Sequence, residues 1–297
     1  MKKLCIVGAI LLVAGIILSA LGLGLAGEDT QSIFKSNLTE KIIEIGEDFS
    51  NIQINTDTTD VVFSLSEDGS CRILCRETEQ QPHTAKVENG TLFIKQENYR
   101  KWYHYIGFHF EMPSVEIQLP KAAFETLTLE GDTGDVVIPE TLTFANVKID
   151  SDTGDVDVRS QVEKTLCIEL STGRILVSGV NCEQIDLQTS TGDIHFTRGS
   201  CKNLTTLSDT GRQTMENVVA SGDVRMVSDT GDIRLADFDG ATISITTDTG
   251  DVTGTILTEK IFFAEADTGR VKVPRCTSGG SCEIRTDTGD IIIQLAQ

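Results

Sequence analysis

The tripeptide Asp-Thr-Gly carries the catalytic carboxylate of aspartic proteases, and it recurs in this chain. It occupies residues 132–134, 152–154, 209–211, 229–231, 248–250, 267–269 and 287–289, and Ser-Thr-Gly fills 171–173 and 190–192. A protease of that class needs one pair of carboxylates that share a proton in an apolar cleft. Repeated copies in acidic, polar surroundings offer no unique pair, so the tripeptide indicates architecture, and we predict no catalytic residue.

The acidic residues beside these glycines suggest a second chemistry, calcium binding. Ca²⁺ takes roughly six to eight oxygen ligands, which two stacked acidic corners with carbonyls and water can supply. The candidate ligands are Asp132, Asp135, Asp152, Asp155, Asp229, Asp232, Asp248 and Asp251. The alternative is a solvated edge on which Arg174, Arg212 and Arg270 offset the carboxylate repulsion. The sequence favours the alternative, so no cofactor is expected and calcium is the one metal considered.

The segment 99–110, YRKWYHYIGFHF, concentrates the aromatic residues that could contact a ligand. It holds the only tryptophan and all three tyrosines. Amphipathic aromatic side chains suit contact with carbohydrate, peptide or a bilayer interface. Tyr99, Trp102, Tyr103, Tyr105 and Phe108 are therefore the candidate binding surface. The other interpretation is an irregular loop packed over the end of the core.

The cysteines offer redox or metal chemistry. Of eight, Cys5 lies in an apolar N-terminal run and seven follow it, so at least one is unpaired or intermolecular. Cys182 and Cys201 each lie nine residues after a repeat glycine, which places them one strand spacing apart, within reach of a disulfide. Buried cysteine is also an ordinary small hydrophobe. Because no CxxC pair or Cys/His clustering is visible in the sequence, a zinc site is not expected.

The elements that must position these residues are set by the repeat. Successive glycines are 19 or 20 residues apart. On both sides of each glycine, apolar residues alternate with polar ones, and β-branched types dominate, which is typical of strands with one buried face. A fixed period near 20 indicates a solenoid, since one unit alone cannot bury its apolar face. We predict an all-β, right-handed parallel β-solenoid (β-helix) of about nine coils.

Each corner is expected to need glycine for a positive φ, with the Asp two residues earlier accepting backbone N–H bonds. Residues 51–65 read as a degenerate first coil with Thr59 in place of glycine, and Asn89-Gly90 predicts a hairpin. The predicted domains are an anchor at 1–27, an N-terminal β cap with degenerate coils at 28–120, and regular coils at 121–297. The chain stops soon after the last glycine, which predicts that Ile291, Ile293 and Leu295 lie near an open edge able to associate end to end.

Charge and hydropathy predict where the coils reside. Lys2 and Lys3 precede an uncharged run of over 20 residues, long enough to cross a bilayer, so residues 4–26 are expected to form a single-pass anchor with the C-terminal part extracytoplasmic. A cleaved signal peptide is the alternative. Residues 28–297 hold 23 cations against 45 carboxylates, a formal charge of −22. This charge argues against nucleic acid as a partner.

The N-terminal apolar segment, the NGTL turn, the IQLP strand end and the tandem TDTGDV coils together resemble the bacterial putative-adhesin family of β-strand-repeat proteins. The resemblance covers residues 40–295 and implies relation to the head regions of autotransporter adhesins, with no catalytic residue to carry over. It implies a non-enzymatic, membrane-anchored surface protein that binds a protein or glycan. The alternatives are a polysaccharide-active β-helix enzyme, for which uniform coils leave no cleft, and an envelope sensing module.

Overall fold

A computed structural model describes residues 38–99, 112–120 and 123–296, together with Gly15. The strands are β1 (Thr39–Ile45), β2 (Asn51–Thr58), β3 (Asp60–Leu65), β4 (Cys71–Glu77), β5 (His83–Glu88), β6 (Thr91–Gln96), β7 (Ser114–Leu119), β8 (Ala123–Thr133), β9 (Val136–Ile138), β10 (Thr143–Thr153), β11 (Val156–Val158), β12 (Gln161–Thr172), β13 (Ile175–Ser178), β14 (Asn181–Thr191), β15 (Ile194–Thr210), β16 (Gln213–Thr230), β17 (Ile233–Thr249), β18 (Val252–Ile256), β19 (Lys260–Thr268), β20 (Val271–Lys272), β21 (Gly280–Thr288) and β22 (Ile291–Leu295). Among the described residues, no helix has the length and apolar character to span a bilayer. Apart from Gly15, the predicted anchor lies outside them.

Parallel, in-register pairing between coils builds the fold. Val147 of β10 pairs with Leu127 on one side and Leu166 on the other, so like side chains stack along the axis. Within each arm the inward residues are buried and the outward ones are not, as in β11 and β13. Each buried aliphatic side chain contributes about 1.5–3 kcal/mol by leaving water. The prediction of an all-β parallel β-solenoid is confirmed, and its regular part makes about eight turns; the right-handed sense stays a prediction.

The corner glycines are needed for a second reason besides their positive φ. At Gly192 φ is +148°, and an added Cβ would lie 1.9 Å from the carbonyl oxygen of Gly173 in the neighbouring coil. Each corner therefore presses its backbone against the previous corner, leaving no space for any side chain. In the coil of β2 and β3, Thr59 stands at the corner, and a Cβ on Gly134 would lie 2.0 Å from its carbonyl oxygen. Residues 51–65 are thus the first coil, as predicted.

Beyond this first coil, a further layer is formed by β6 and β7. Ile52 pairs with Leu92, and Val61 pairs with Val115, both in parallel register. Three pairings at this end are antiparallel: β5 with β6, β4 with β7, and β1 with β4. The β5–β6 hairpin turns at Asn89 and Gly90, both with positive φ, which confirms the hairpin prediction. The predicted domain boundaries stay predictions.

At the other end, the last two coils are exchanged relative to their sequence order. β21 pairs with β17 on one side and with β19 on the other, so the coil of Gly289 lies between those of Gly250 and Gly269. The prediction that Ile291, Ile293 and Leu295 border an open edge was therefore wrong. Ile291 and Ile293 are buried, and the outermost layer is β19 with β20.

Three features accompany this exchange. A Cβ on Gly279 would lie 1.8 Å from the carbonyl oxygen of Glu259, and one on Gly280 would lie 1.8 Å from that of Ala241. The backbone between these two layers therefore has room for glycine at both positions and for no side chain. The Lys260 ammonium reaches over the inserted coil to Asp239, at 2.6 Å in a nearly buried pair. The exchange also places Arg270 at the corner of the outermost coil. No described coil lies beyond it, so no further backbone amide needs a carboxylate at this position.

Candidate binding surfaces

Where an aspartate follows the corner glycine, its carboxylate binds the backbone of the next coil. Asp135 Oδ1 accepts a hydrogen bond from the amide of Asp155 at 2.8 Å, and Asp155 Oδ1 accepts one from the amide of Arg174 at 2.9 Å. The prediction assigned this role to the aspartate two residues before the glycine, and it was wrong about which carboxylate acts. The carboxylate after the glycine extends along the stack and reaches the next amide.

The interleaved arginines offset the acidic edge, as predicted. Arg174 and Arg270 form ion pairs of 2.5 Å with Asp155 and Asp290. The Arg174 guanidinium lowers the pKa of Asp155, mainly through its side-chain hydrogen bond. Of the calcium candidates, Asp232 has Arg212 and Arg234 at 3.7 and 3.3 Å from Oδ2, so cationic groups already offset its charge.

Asp132 and Asp152, in contrast, face an acidic hollow of about 530 Å³ on the first coils. Burial raises the pKa of Asp132, and the charges of Asp57 and Asp152 raise it further. Carboxylates in this column repel one another, as expected for residues one strand spacing apart. Lys95 also lines the hollow. Calcium at Asp132 and Asp152, like calcium at Asp135, Asp155, Asp229, Asp232, Asp248 and Asp251, stays a prediction.

Only one member of the predicted aromatic surface is described. Tyr99 is 64% exposed, and its amide donates to the carbonyl of Gln80 at 2.8 Å. Trp102, Tyr103, Tyr105 and Phe108 lie outside the described residues. In the sequence, their segment follows β6 and precedes β7.

The structure reveals a groove that the sequence analysis missed, on the outer face of β9, β11 and β13. Its volume is about 820 Å³. Half-buried aliphatic side chains, Val137 and Leu176, lie on its floor, and the turns between arms form its rim. The residues that line it are Val137, Pro139, Glu140, Thr141, Asp157, Arg159, Gln161, Leu176, Val177, Ser178, Gly179, His195, Thr197 and Arg198. They come from four successive coils. Val137, Asp157, Leu176 and His195 occupy the same outward position of the repeat, but no residue type recurs there, which is why the repeat did not reveal the groove.

The groove is polar but close to electrically neutral. Arg159 pairs with Asp157 at 2.5 Å, and this hydrogen bond raises the pKa of Arg159. Arg198 donates to Ser178 Oγ at 2.9 Å. His195 Nε2 is buried without a hydrogen-bond partner and lies 3.8 Å from the Glu216 carboxylate. Unlike the acidic corners, this surface combines an aliphatic floor with hydrogen-bond donors and acceptors and with charged groups of both signs. Ligand-binding clefts have this combination.

A buried cluster of Cys75, Glu77 and His83 corrects the expectation that no cysteine and histidine come together. Their candidate ligand atoms all lie within 4.8 Å of one another. His83 Nδ1 is 3.0 Å from Glu77 Oε2, and its Nε2 is 3.2 Å from Thr59 Oγ1. Lys41 Nζ lies 3.8 Å from Glu77 Oε1 and supplies the positive charge that a buried carboxylate requires. The cluster therefore acts as a hydrogen-bonded network beneath the first coil.

The chemistry of the cluster fits this structural role. Burial lowers the pKa of His83 and raises that of Cys75 to about 12, so imidazole and thiol are both neutral near pH 7. A protonated thiol is a poor nucleophile. Sequence spacing gave no sign of the cluster, because Glu77 and His83 meet across a turn.

Cys182 and Cys201 are direct neighbours, as predicted: they pair in parallel register between β14 and β15. Both are free thiols. We expect mild catalysed oxidation to form a disulfide between these two cysteines. Adjacent parallel strands bring their Cα atoms to about 4.8 Å, which is within the range for a disulfide. Thiol titration in denaturant should then fall from eight groups to six, whereas the Cys182→Ser variant should keep all seven of its thiols under mild oxidation. Eight reactive thiols after oxidation of the unaltered chain contradict the pairing.

The family model described as Toastrack DUF4097 matches residues 49–209, more than half of the chain. This match confirms the resemblance drawn from the tandem coils. No curated protein matches.

Solved structures with similar folds share little sequence with the chain. One is named a "putative adhesin" from Bacteroides fragilis, with 15% identity, coverage of 88% of this chain and 98% of that chain, and a TM-score of 0.48. A second, named a "putative lipid binding protein" from Parabacteroides distasonis, has 13% identity, coverage of 87% and 98%, and a TM-score of 0.48. A third, a "putative adhesin" from Parabacteroides merdae, has 12% identity, coverage of 89% and 98%, and a TM-score of 0.39.

Proposed function

Because the chain belongs to the Toastrack DUF4097 family, whose name assigns no reaction, we propose from its surfaces that it is a non-enzymatic binding protein. Residues 4–26 anchor it in a membrane as a single pass, and the solenoid is displayed on the extracytoplasmic side as an adhesive or envelope-binding module. The groove on β9, β11 and β13 supports this proposal, since it is a shaped hollow on a fold of uniform coils.

The chemistry of the groove indicates the class of ligand. Arg159 and Arg198 are balanced by Asp157 and Glu140. A groove with no net charge does not attract polyanions, and the surrounding acidic surface repels them. Its aliphatic floor and its hydrogen-bonding rim suit an extended, uncharged polar ligand, either a neutral glycan or a protein segment. The aromatic segment with Tyr99 stays a second candidate surface.

Replacing the floor of the groove tests the proposal. We expect Leu176→Arg to reduce binding of the full chain in detergent to its ligands on a glycan and peptide array by at least tenfold, because a long cation fills the hollow. Thr253→Arg is the matched control, since it introduces the same side chain at the equivalent outward position of β18, outside the groove. Equal loss in both variants, or in neither, contradicts a ligand site in the groove.

The same experiment separates binding from the polysaccharide-active alternative. A polysaccharide-active enzyme shortens the glycan that it binds, whereas a binding protein leaves it intact. We therefore expect the glycan bound by this chain to be recovered at its original length. Shortened products, lost in Leu176→Arg, would assign the groove to catalysis.

A further inference from the structure

The outermost layer at the far end of the stack leaves the apolar core open. Val271 is 44% exposed, and Phe262, Ala264 and Val273 are only partly buried. Their equivalents in the neighbouring coil, Cys282, Ile284, Ile291 and Ile293, are 2% exposed or less. The side chains therefore have core positions and core character, but no described layer covers them.

The same coil is unusual on its outer face. Eight and six residues before each corner glycine, the regular coils carry outward-pointing residues such as Thr126 and Thr128, or Ser281 and Glu283. In this coil those positions are Ile261 and Phe263, exposed by 39% and 61%. An outward phenylalanine beside an open core creates one continuous apolar surface, of the kind that marks interaction sites. We call it the open end, defined as residues 257–273.

The open end has no net charge. Residues 257–273 carry three cations, Lys260, Arg270 and Lys272, and three carboxylates, Glu259, Glu265 and Asp267, whereas the chain as a whole has a net charge of −20. Two copies of an acidic protein repel each other along their flanks. At the open end, where cations and carboxylates balance, that repulsion is weak.

The backbone of the open end is ready to pair. At every inner corner, the glycine amide donates to the next coil, as Gly250 does to Thr288 and Gly289 does to Thr268, both at 2.9 Å. In the part of the chain that the structure describes, no strand lies beyond β19 and β20 to receive the amides of Gly269 and Val271. An unpaired edge of this kind is a template for another strand.

We propose that the open end binds the open end of a second copy of this chain, related by a twofold axis. A twofold contact uses the same patch on both partners, so one apolar, near-neutral surface provides both halves of the interface. Antiparallel pairing across the axis would satisfy β19 of each copy. The apolar segment 4–26 is a poor occupant, because it joins β1 at the opposite end of the stack, through 12 intervening residues that span at most about 40 Å. Twelve strand spacings of about 4.8 Å separate β1 from β20.

The size of the end sets the expected strength. Arms about 20 Å long, roughly 10 Å apart, enclose an end face of about 200 Å² per copy before Phe263 and Ile261 are added. The contact is therefore smaller than the roughly 1,200 Å² of standard interfaces, so we expect a weak, reversible dimer that forms only at micromolar or higher concentrations. This orientation rests on the proposed function: with residues 4–26 anchored in a membrane, the open end is the end of the stack that points away from the membrane. The contact then joins proteins on two facing surfaces, where many weak contacts act together.

Sedimentation velocity on the full chain in detergent, from about 1 to 200 μM, tests the interface. We expect a concentration-dependent dimer that Phe263→Glu weakens at least tenfold. Ile42→Glu is the matched control: Ile42 is equally exposed, at 61%, but lies in β1 at the opposite end. A monomer at all concentrations, or a dimer lost in Ile42→Glu and kept in Phe263→Glu, overturns the proposal.

Two further measurements keep the result interpretable. Circular dichroism must show that Phe263→Glu is folded, and if it is not, Phe263→Ser takes its place. Hydrogen exchange of the amides in residues 268–271 should slow as protein concentration rises, which a contact through the detergent-bound segment would not cause. Dimerisation in detergent without clustering of protein-bearing vesicles would contradict the proposed anchoring alone.

Discussion

Gly211→Ala is expected to lower the free energy of unfolding by about 3–5 kcal/mol, one of the two largest effects that we predict. The φ of Gly211 is +149°, a region that is essentially limited to glycine and costs other residues about 1–3 kcal/mol. An added Cβ would also lie 1.9 Å from the carbonyl oxygen of Gly192, which forces two coils apart and adds a comparable cost. Urea denaturation followed by circular dichroism measures the change.

Gly179→Ala separates the two contributions. Gly179 also has a positive φ, +74°, and its amide donates to Thr197 in the next coil, but nothing lies within 4 Å of an added Cβ. Only backbone strain remains there, worth about 1–2 kcal/mol. Equal destabilisation by both variants would show that close approach between corners does not contribute.

Lys260→Met is the second variant for which we expect a large loss, of about 3–5 kcal/mol. The substitution leaves the Asp239 carboxylate in a site where its side chain is only 11% exposed, and a buried charge without its partner is strongly destabilising. The pair also links β17 to β19 across the inserted coil, so its loss should loosen that end first. Thermal unfolding, together with hydrogen exchange of β19 and β21, reports both effects.

Two comparisons test this interpretation. Lys260→Met combined with Asp239→Leu should recover most of the stability, because two apolar side chains remove the unpaired charge. Arg285→Met breaks an exposed pair with Glu265 in the same layers and should cost less than about 1 kcal/mol. A loss in the double variant as large as in Lys260→Met would indicate that the charge is not the cause.

The repeat was sufficient to predict the fold because its physical code is local. Alternating side chains such as Val156 and Val158 define a buried face, and the glycine at a fixed distance defines a corner. Stacking identical positions then gives the register, as the pairing of Val156 with Val136 and Ile175 shows. Thr59 could be recognised as a corner for the same reason: the positions around it keep the pattern.

The order of the last coils could not be predicted, because the same regularity makes the coils interchangeable. Phe262 and Cys282 occupy equivalent positions, so either can stack on Ile243 without a change in register. The deciding features are irregular ones: the thin Gly279-Gly280 step and the Lys260–Asp239 pair. They become meaningful only when the neighbours of each layer are known.

The groove and the buried cluster were missed for a related reason. Arg159 follows β11, and Arg198 has a positive φ within β15; they lie five and six residues after their glycines, where the repeat imposes no residue type. Their closeness depends on how the chain at these positions folds over β11 and β13. An inspection of cations that interrupt an acidic solenoid could have located the groove. The Glu77–His83 contact depends on the turn between β4 and β5 and has no comparable signal.

The exchanged order of the last two layers constrains how the molecule matures during synthesis. Residues 260–273 emerge before residues 280–295, while β17 still offers a free parallel edge to either segment. In the folded chain the late segment holds that edge, and the earlier one lies one layer farther out. A chain shortened by its last two strands is therefore expected to place β19 on β17 and to settle into a solenoid with one layer fewer.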